Sequence, residues 1–190
     1  ILRKKLNELE LPSMKHLHFN DHIFDYIDTE EKAYLLVFLY ADGYLESKKN
    51  ALSLTLCEQD LSHLEKFRNF IQAKRLCTIK KHNTKLNGKE FINYRIGCGS
   101  KHLKNTLIKL GCVPNKSLIA TFPNLNIFTD YNLVFDFIRG YVDGDGCLYF
   151  TKTGNLNLEI IGTTDFLMGI KQIFPNHFSN LLTDKRWKNN

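Results

Sequence analysis

Two short stretches end an apolar run on a carboxylate and a glycine: LLVFLYADGYL at 35–45 and IRGYVDGDGCLYF at 138–150. In each, the apolar spacing predicts a helix that stops at the acid–glycine step, with Gly43 as a natural C′ residue after the first. A helix C-terminus carries about half a negative charge, so an aspartate is disfavoured there and Lys, Arg or His is the usual choice. Asp42 and Asp145 do the opposite, twice. A bound divalent cation would compensate both. Carboxylate oxygens with backbone carbonyls, here those of Ala41 and Gly144, are hard donors that suit Mg²⁺ (or Mn²⁺).

The faces of the two helices add a second clue. Ala33, Val37 and Ala41 recur at four-residue intervals on the first, and Gly140 and Gly144 on the second. Small residues so spaced let two helix backbones approach closely. Packed side by side, the helices would bring Asp42 and Asp145 together, and two close carboxylates repel and call for metal. An EF-hand starting at Asp143 would need an oxygen ligand at 147 and Glu at 154, but Cys147 and Gly154 stand there. Turn chemistry accounts for one Asp-Gly step, and less well for two on matching helices.

The elements that must position these acids follow from pattern. Residues 1–11 read as the end of a basic helix stopped by Pro12, and 13–29 as a polar, His-rich linker. Asp28 or Thr29 caps the first motif helix, with Glu30 and Glu31 in its first turn. ALSLTLCEQ at 51–59 alternates, with Leu52, Leu54 and Leu56 on one face and an open polar face carrying Ser53 and Thr55. DLSHLEKFRNFI at 60–71 reads as an amphipathic helix. RLCTIKKH and EFINYRIGC read as strands joined through Asn87-Gly88, and 100–111 as a helix with a Ser cap and a Gly stop. The second motif helix is followed by the strand GNLNLEIIG and the helix TDFLMGIKQIF. This recurrence of order argues for an internal duplication. The expected division is a basic tail and linker at 1–27, a first unit at 28–122 and a second at 123–190. Nothing after Trp187 corresponds to the 76–111 segment, so the second unit reads as incomplete through C-terminal truncation.

LLVFLYADG and IRGYVDGDG resemble the two motifs of the LAGLIDADG homing endonucleases. The shared pattern is an apolar helix with small packing residues, then acid–Gly and a hydrophobic pair, here Tyr44-Leu45 and Cys147-Leu148. The motif acids lie 103 residues apart (145 − 42), as in single-chain, two-motif members, and LGCVPNKSLIATFPNL resembles the family's inter-repeat segment. The resemblance implies an α+β fold of two pseudo-symmetric αββαββα repeats, the second incomplete. These form a saddle whose sheets lie in the DNA major groove. It implies a monomer that makes site-specific double-strand breaks, hydrolysing phosphodiester bonds with metal-activated water. Asp42 and Asp145 would be catalytic metal ligands, and Lys116 matches a lysine that assists catalysis in intein-type relatives. Val37 stands where the family has Gly or Ala, which implies slightly wider helix packing.

Strand patterning agrees with a duplex-binding face. Ser53, Thr55, Thr78, Lys80, His82, Asn93 and Arg95, with Asn157 and Glu159 in the second unit, are placed to read base edges. Lys48, Lys49, Lys85, Lys89 and Lys152 sit at turns and strand ends suited to phosphate contact. Arg3, Lys4 and Lys5 would belong to an extra DNA-binding helix. The alternative function is a non-catalytic nucleic-acid binder of the same fold, an intron RNA maturase or a transcription regulator.

Bulk composition is compatible with both. The 190-residue chain carries a formal charge of +6, which favours a polyanionic partner, and its 43% hydrophobic content argues against disorder. Five scattered cysteines, never spaced C-x-x-C, argue against a zinc ribbon and for a reducing, intracellular location. No apolar run is long enough to span a membrane.

Overall fold

A computed structural model describes residues 19–73, 77–86 and 88–178. The basic segment at 1–11, with Arg3, Lys4 and Lys5, and the stretch around Trp187 lie outside the described residues. The first motif helix, α1 (Glu30–Ala41), starts where Thr29 Oγ1 accepts the Lys32 N–H at 3.3 Å. Such a cap contributes about 1 kcal/mol. Asp28, the other capping candidate, instead pairs with Lys32 Nζ at 2.7 Å. Ala33 and every residue from Leu35 to Tyr40 are buried, as expected of a helix that is apolar all round.

Helix α1 leads into an antiparallel sheet. Strands β1 (Gly43–Leu45), β2 (Leu52–Cys57), β3 (Lys80–Leu86) and β4 (Lys89–Cys98) are arranged in the order β1-β2-β4-β3. Helix α2 (Leu61–Phe70) separates β2 from β3, and α3 (Lys101–Lys109) follows β4. Leu52, Leu54, Leu56 and Ile96 form the buried face of the sheet, joined in the core by Leu64 and Phe67 of α2 and Leu103 and Leu107 of α3. The second motif helix, α4 (Leu133–Asp145), leads into a two-stranded sheet of β5 (Gly146–Phe150) and β6 (Leu156–Ile160), followed by α5 (Thr164–Ile173). The architecture is α+β, with a four-stranded antiparallel sheet as its largest sheet among the described residues.

Helices α1 and α4 pack against each other through the small residues. A Cβ on Gly140 would lie 2.6 Å from the Tyr34 carbonyl oxygen and 2.7 Å from Val37 Cγ1; one on Gly144 would lie 2.6 Å from Ala41 Cβ. Val37, the bulkiest of the three residues at this spacing on α1, is fully buried with a methyl in the notch that Gly140 leaves. Tyr34 adds a cross-helix bond, its hydroxyl donating to Asp143 Oδ2 at 3.0 Å, while the Arg139 guanidinium lies over its ring.

Two local expectations change. Gly43 is not a left-handed C′ residue: it opens β1 at a negative φ, outside the positive-φ glycines, which are Gly88, Gly111 and Gly154. It is constrained by space, since a Cβ there would lie 2.5 Å from the Leu39 carbonyl oxygen. Gly146 meets the same obstacle at the Val142 carbonyl oxygen. Residues 19–27 do not behave as a linker: Phe19, Phe24 and Ile27 are buried, and Ile27 bridges to Phe128. An aromatic cluster also runs between the two parts of the chain. Phe137 of α4 meets Tyr40, Phe122 and Phe128 edge-on, and Tyr141 stacks on Phe166 at 4.1 Å between centroids. No helix among the described residues is long and apolar enough to cross a membrane.

The helix contact makes a stability prediction. Gly140→Ala drives a methyl into backbone and should cost about 1–3 kcal/mol, as overpacked sites do. The Val37→Ala, Gly140→Ala double variant should regain part of that loss, because one of the two obstacles is removed. Urea unfolding midpoints of the parent, both single variants and the double variant measure both effects.

Candidate metal and nucleic-acid site

Asp42 is the C-cap of α1 and its backbone N–H donates to Phe38 O at 3.0 Å. Its Oδ2 would lie 3.7 Å from a Cβ on Gly144, so the carboxylate of one helix reaches the last turn of the other. Asp145 closes α4, and its own carbonyl accepts from the Ile161 N–H at 3.1 Å. The neighbouring acid Asp143 goes elsewhere, to Tyr34. The helix contact thus brings Asp42 and Asp145 together, and Asp143 is excluded from the pair.

The two carboxyls share an unfavourable environment. Surrounding protein and then the Asp145 charge push the Asp42 carboxyl up to about 6; Lys116 opposes this and Asp60 adds to it. Asp42 retains a solvent-facing surface, so crowding by protein rather than full enclosure is the source of its desolvation. The Asp145 carboxyl is also raised by burial, with Tyr141 and Lys116 opposing.

Lys116 joins the same site. It is presented by a short 3₁₀ turn (Lys116–Leu118) after Asn115, which takes a left-handed φ of 57°. Its ammonium donates to the Ala41 carbonyl at 3.1 Å and the Gly43 carbonyl at 2.6 Å, on either side of Asp42. A cation at a helix end gains about 0.3–1 kcal/mol from the dipole, whereas hydrogen bonds involving a charged group contribute about 1.5–3 kcal/mol. Hydrogen bonding to the terminal carbonyls therefore fixes Lys116 more than the dipole does. Burial lowers its pKa, while Cys112, Asp145 and Asp42 favour the protonated form.

This changes the reading of the α1 terminus. The positive charge missing from its last turn is supplied from a loop some 75 residues away in sequence. The Ala41 carbonyl, a candidate metal ligand, is already engaged by Lys116. The Gly144 carbonyl lies in the last turn of α4, among the groups that a helix cannot satisfy internally. Two raised carboxylates at adjoining helix ends are the hard, electron-rich donors that an Mg²⁺ ion requires.

The strand residues separate by face. Pairing aligns Thr55 with Arg95 and Lys80, and Cys57 with Asn93 and His82, so these side chains share the face opposite the leucines. Ser53 is on that face but is not open: it is buried beneath Arg95, whose Nη2 donates to Ser53 Oγ at 2.8 Å. Arg95, Ser53, Lys48 and Lys49 line a shared cavity of about 910 Å³. By strand alternation, Lys89 falls on the His82 face while Lys85 falls on the opposite one, paired with Glu90 at 3.0 Å. In the second sheet, Asn157 and Glu159 share a face with Tyr149 and Cys147, and Lys152 lies in the connecting turn. That face is neutral to acidic rather than basic. The other face carries Leu148, Phe150, Leu156 and Leu158, all exposed.

Two site residues escape the sequence reading. Tyr141 stands four residues before Asp145 on α4, a spacing that puts them on one helix face and signals the contact in advance. Asp60 adds to the charge near Asp42, and nothing in its local sequence announces this. No family model matches the sequence, and no curated protein matches it either.

The raised carboxyls make a pH prediction. Asp42 holds its proton in the folded state up to about 6 but releases it at about 3.8 when unfolded. The folded state therefore binds more protons over this window, and stability falls as pH rises through it, levelling off above. Asp42→Asn should raise the thermal midpoint at pH 7 and leave it nearly unchanged at pH 3.5, as followed by circular dichroism in metal-free buffer.

Proposed function

We propose that this chain is a site-specific, metal-dependent DNA endonuclease of the LAGLIDADG type, its two motif helices belonging to pseudo-symmetric repeats that form a DNA-binding saddle. The observation carrying this reading is the meeting of Asp42 and Asp145 at adjoining helix ends, each carboxyl raised and only partly compensated by Lys116. The parallel roles of Gly43 and Gly146 support the duplication: each follows a motif acid, opens a strand and meets the carbonyl four residues before it.

In this reading Asp42 and Asp145 hold a divalent cation, which when bound supplies an activated water and stabilises the leaving oxygen of the scissile phosphodiester. The protein does the rest. Above about pH 6 Asp42 is ionised, and the packed helices keep it from moving away from Asp145. Lys116, protonated and anchored on two carbonyls, adds positive potential where the phosphate backbone would approach. The face bearing Thr55, Lys80, His82, Asn93 and Arg95 positions the duplex, with Lys48 and Lys49 at its margin.

One observation favours the alternative, a non-catalytic binder of DNA or intron RNA. Lys116 already provides an internal cation beside the acids, which a binding-only protein would need in place of metal. The two readings separate in one experiment. A DNA target is selected by cleavage from a randomised duplex library in Mg²⁺. Asp42→Asn and Asp145→Asn should each abolish cleavage while retaining target affinity within a few-fold, and Lys116→Met should reduce the rate by at least about tenfold. Full cleavage by both aspartate variants would refute the endonuclease reading. No cleaved target would favour the alternative, and relative affinity for structured RNA and for DNA at matched salt would tell its RNA-binding form from its DNA-binding form.

A further inference from the structure

His22, Asp25 and His102 converge on one point away from the paired aspartates. Asp25 Oδ2 lies 2.7 Å from His22 Nδ1, and Asp25 Oδ1 lies 2.6 Å from His102 Nε2. The imidazoles are tilted against each other with centroids 4.0 Å apart, and the three donor atoms all fall within 4.8 Å of one another. Two parts of the fold build this cluster. His22 and Asp25 lie in the segment before α1, where the Asp25 N–H donates to the His22 carbonyl at 3.0 Å. His102 lies in the first turn of α3, oriented by Ser100, which accepts the His102 N–H at 3.1 Å. Thr106, one turn further on, reaches Asp25 Oδ1 at 3.4 Å.

We propose that His22, Asp25 and His102 form a binding site for a divalent transition-metal ion of the zinc class, which clips the segment before α1 to the start of α3. Two imidazoles and one carboxylate suit Zn²⁺, Co²⁺ or Ni²⁺, whereas Mg²⁺ favours oxygen donors, so this site and the Asp42–Asp145 pair select different ions. Tetrahedral bonds of about 2.0–2.1 Å set ligand atoms roughly 3.3 Å apart. The ligand atoms lie within 4.8 Å of one another, so side-chain rotation brings them to that spacing. The three side chains are exposed enough for an ion to enter, with His22 61% and His102 41% accessible. Three protein ligands leave a fourth position for water. The cluster has no sequence signature because 77 residues separate Asp25 from His102. Thr106 provides the outer hydrogen bond that orients a ligating carboxylate.

The test uses the full chain stripped with chelator at pH 7.5 and titrated calorimetrically with Zn²⁺, with Co²⁺ visible absorption as a second readout. With millimolar Mg²⁺ present to occupy the paired aspartates, one equivalent should bind. His102→Ala should weaken binding by at least about tenfold, and so should His22→Gln, a substitution at a largely exposed position that leaves the core untouched. Asp42→Asn and the Cys57→Ser, Cys147→Ser double variant should bind like the parent, which separates this site from the paired aspartates and from the exposed thiols. Absence of stoichiometric Zn²⁺ binding would overturn the proposal. So would binding that survives unchanged in both histidine variants, or that is lost in the cysteine variant.

Discussion

The close approach of α1 and α4 is the constraint on which the candidate site depends. Gly140 and Gly144 remove the side chains that would separate the helices, and Tyr34, Val37 and Ala41 occupy the space they leave. A well-packed interface of this kind does not deform continuously. The separation of Asp42 from Asp145 is therefore set by the glycines and not by the acids, which repel each other. The surrounding aromatic cluster, in which Phe137 meets Tyr40, Phe122 and Phe128, holds the same contact from the outside. The molecule uses packing energy to hold together two charges that electrostatics would drive apart.

Lys116 moderates that conflict without removing it. Its hydrogen bonds to the Ala41 and Gly43 carbonyls satisfy the terminus of α1 and place positive charge beside both acids. Yet both carboxyls remain raised, chiefly because the surrounding protein keeps water from them, and Lys116 offsets this only in part. A residual negative site next to a fixed ammonium is suited to a divalent cation and a phosphate diester together. That combination is why the endonuclease reading is preferred over binding alone.

Much of this was legible in the sequence. Helix-period apolar spacing marked α1 and α4, strict alternation marked β2, and Ser100 marked the start of α3, because each signal is local. The side-by-side packing followed from small residues at four-residue spacing. What escaped was long-range or compensatory. The fit of Val37 against Gly140 has no local signal, because the complement lies on another helix about one hundred residues away. The α1 terminus looked uncompensated because Lys116 reaches it from a distant loop. Residues 19–27 looked like linker because Phe19, Phe24 and Ile27 are too sparse to show a period, though all three are buried. Ser53 looked open because alternation gives a face, not what covers it.

Carboxyl-detected ¹³C NMR of Asp42 and Asp145 across a pH titration, with and without Mg²⁺, probes the paired-acid site directly. Without metal, Asp42 should titrate near about 6, and saturating Mg²⁺ should move its midpoint downward, with Asp145 responding in parallel. An Asp42 midpoint near the ordinary 3.8 that is indifferent to Mg²⁺ would contradict the account.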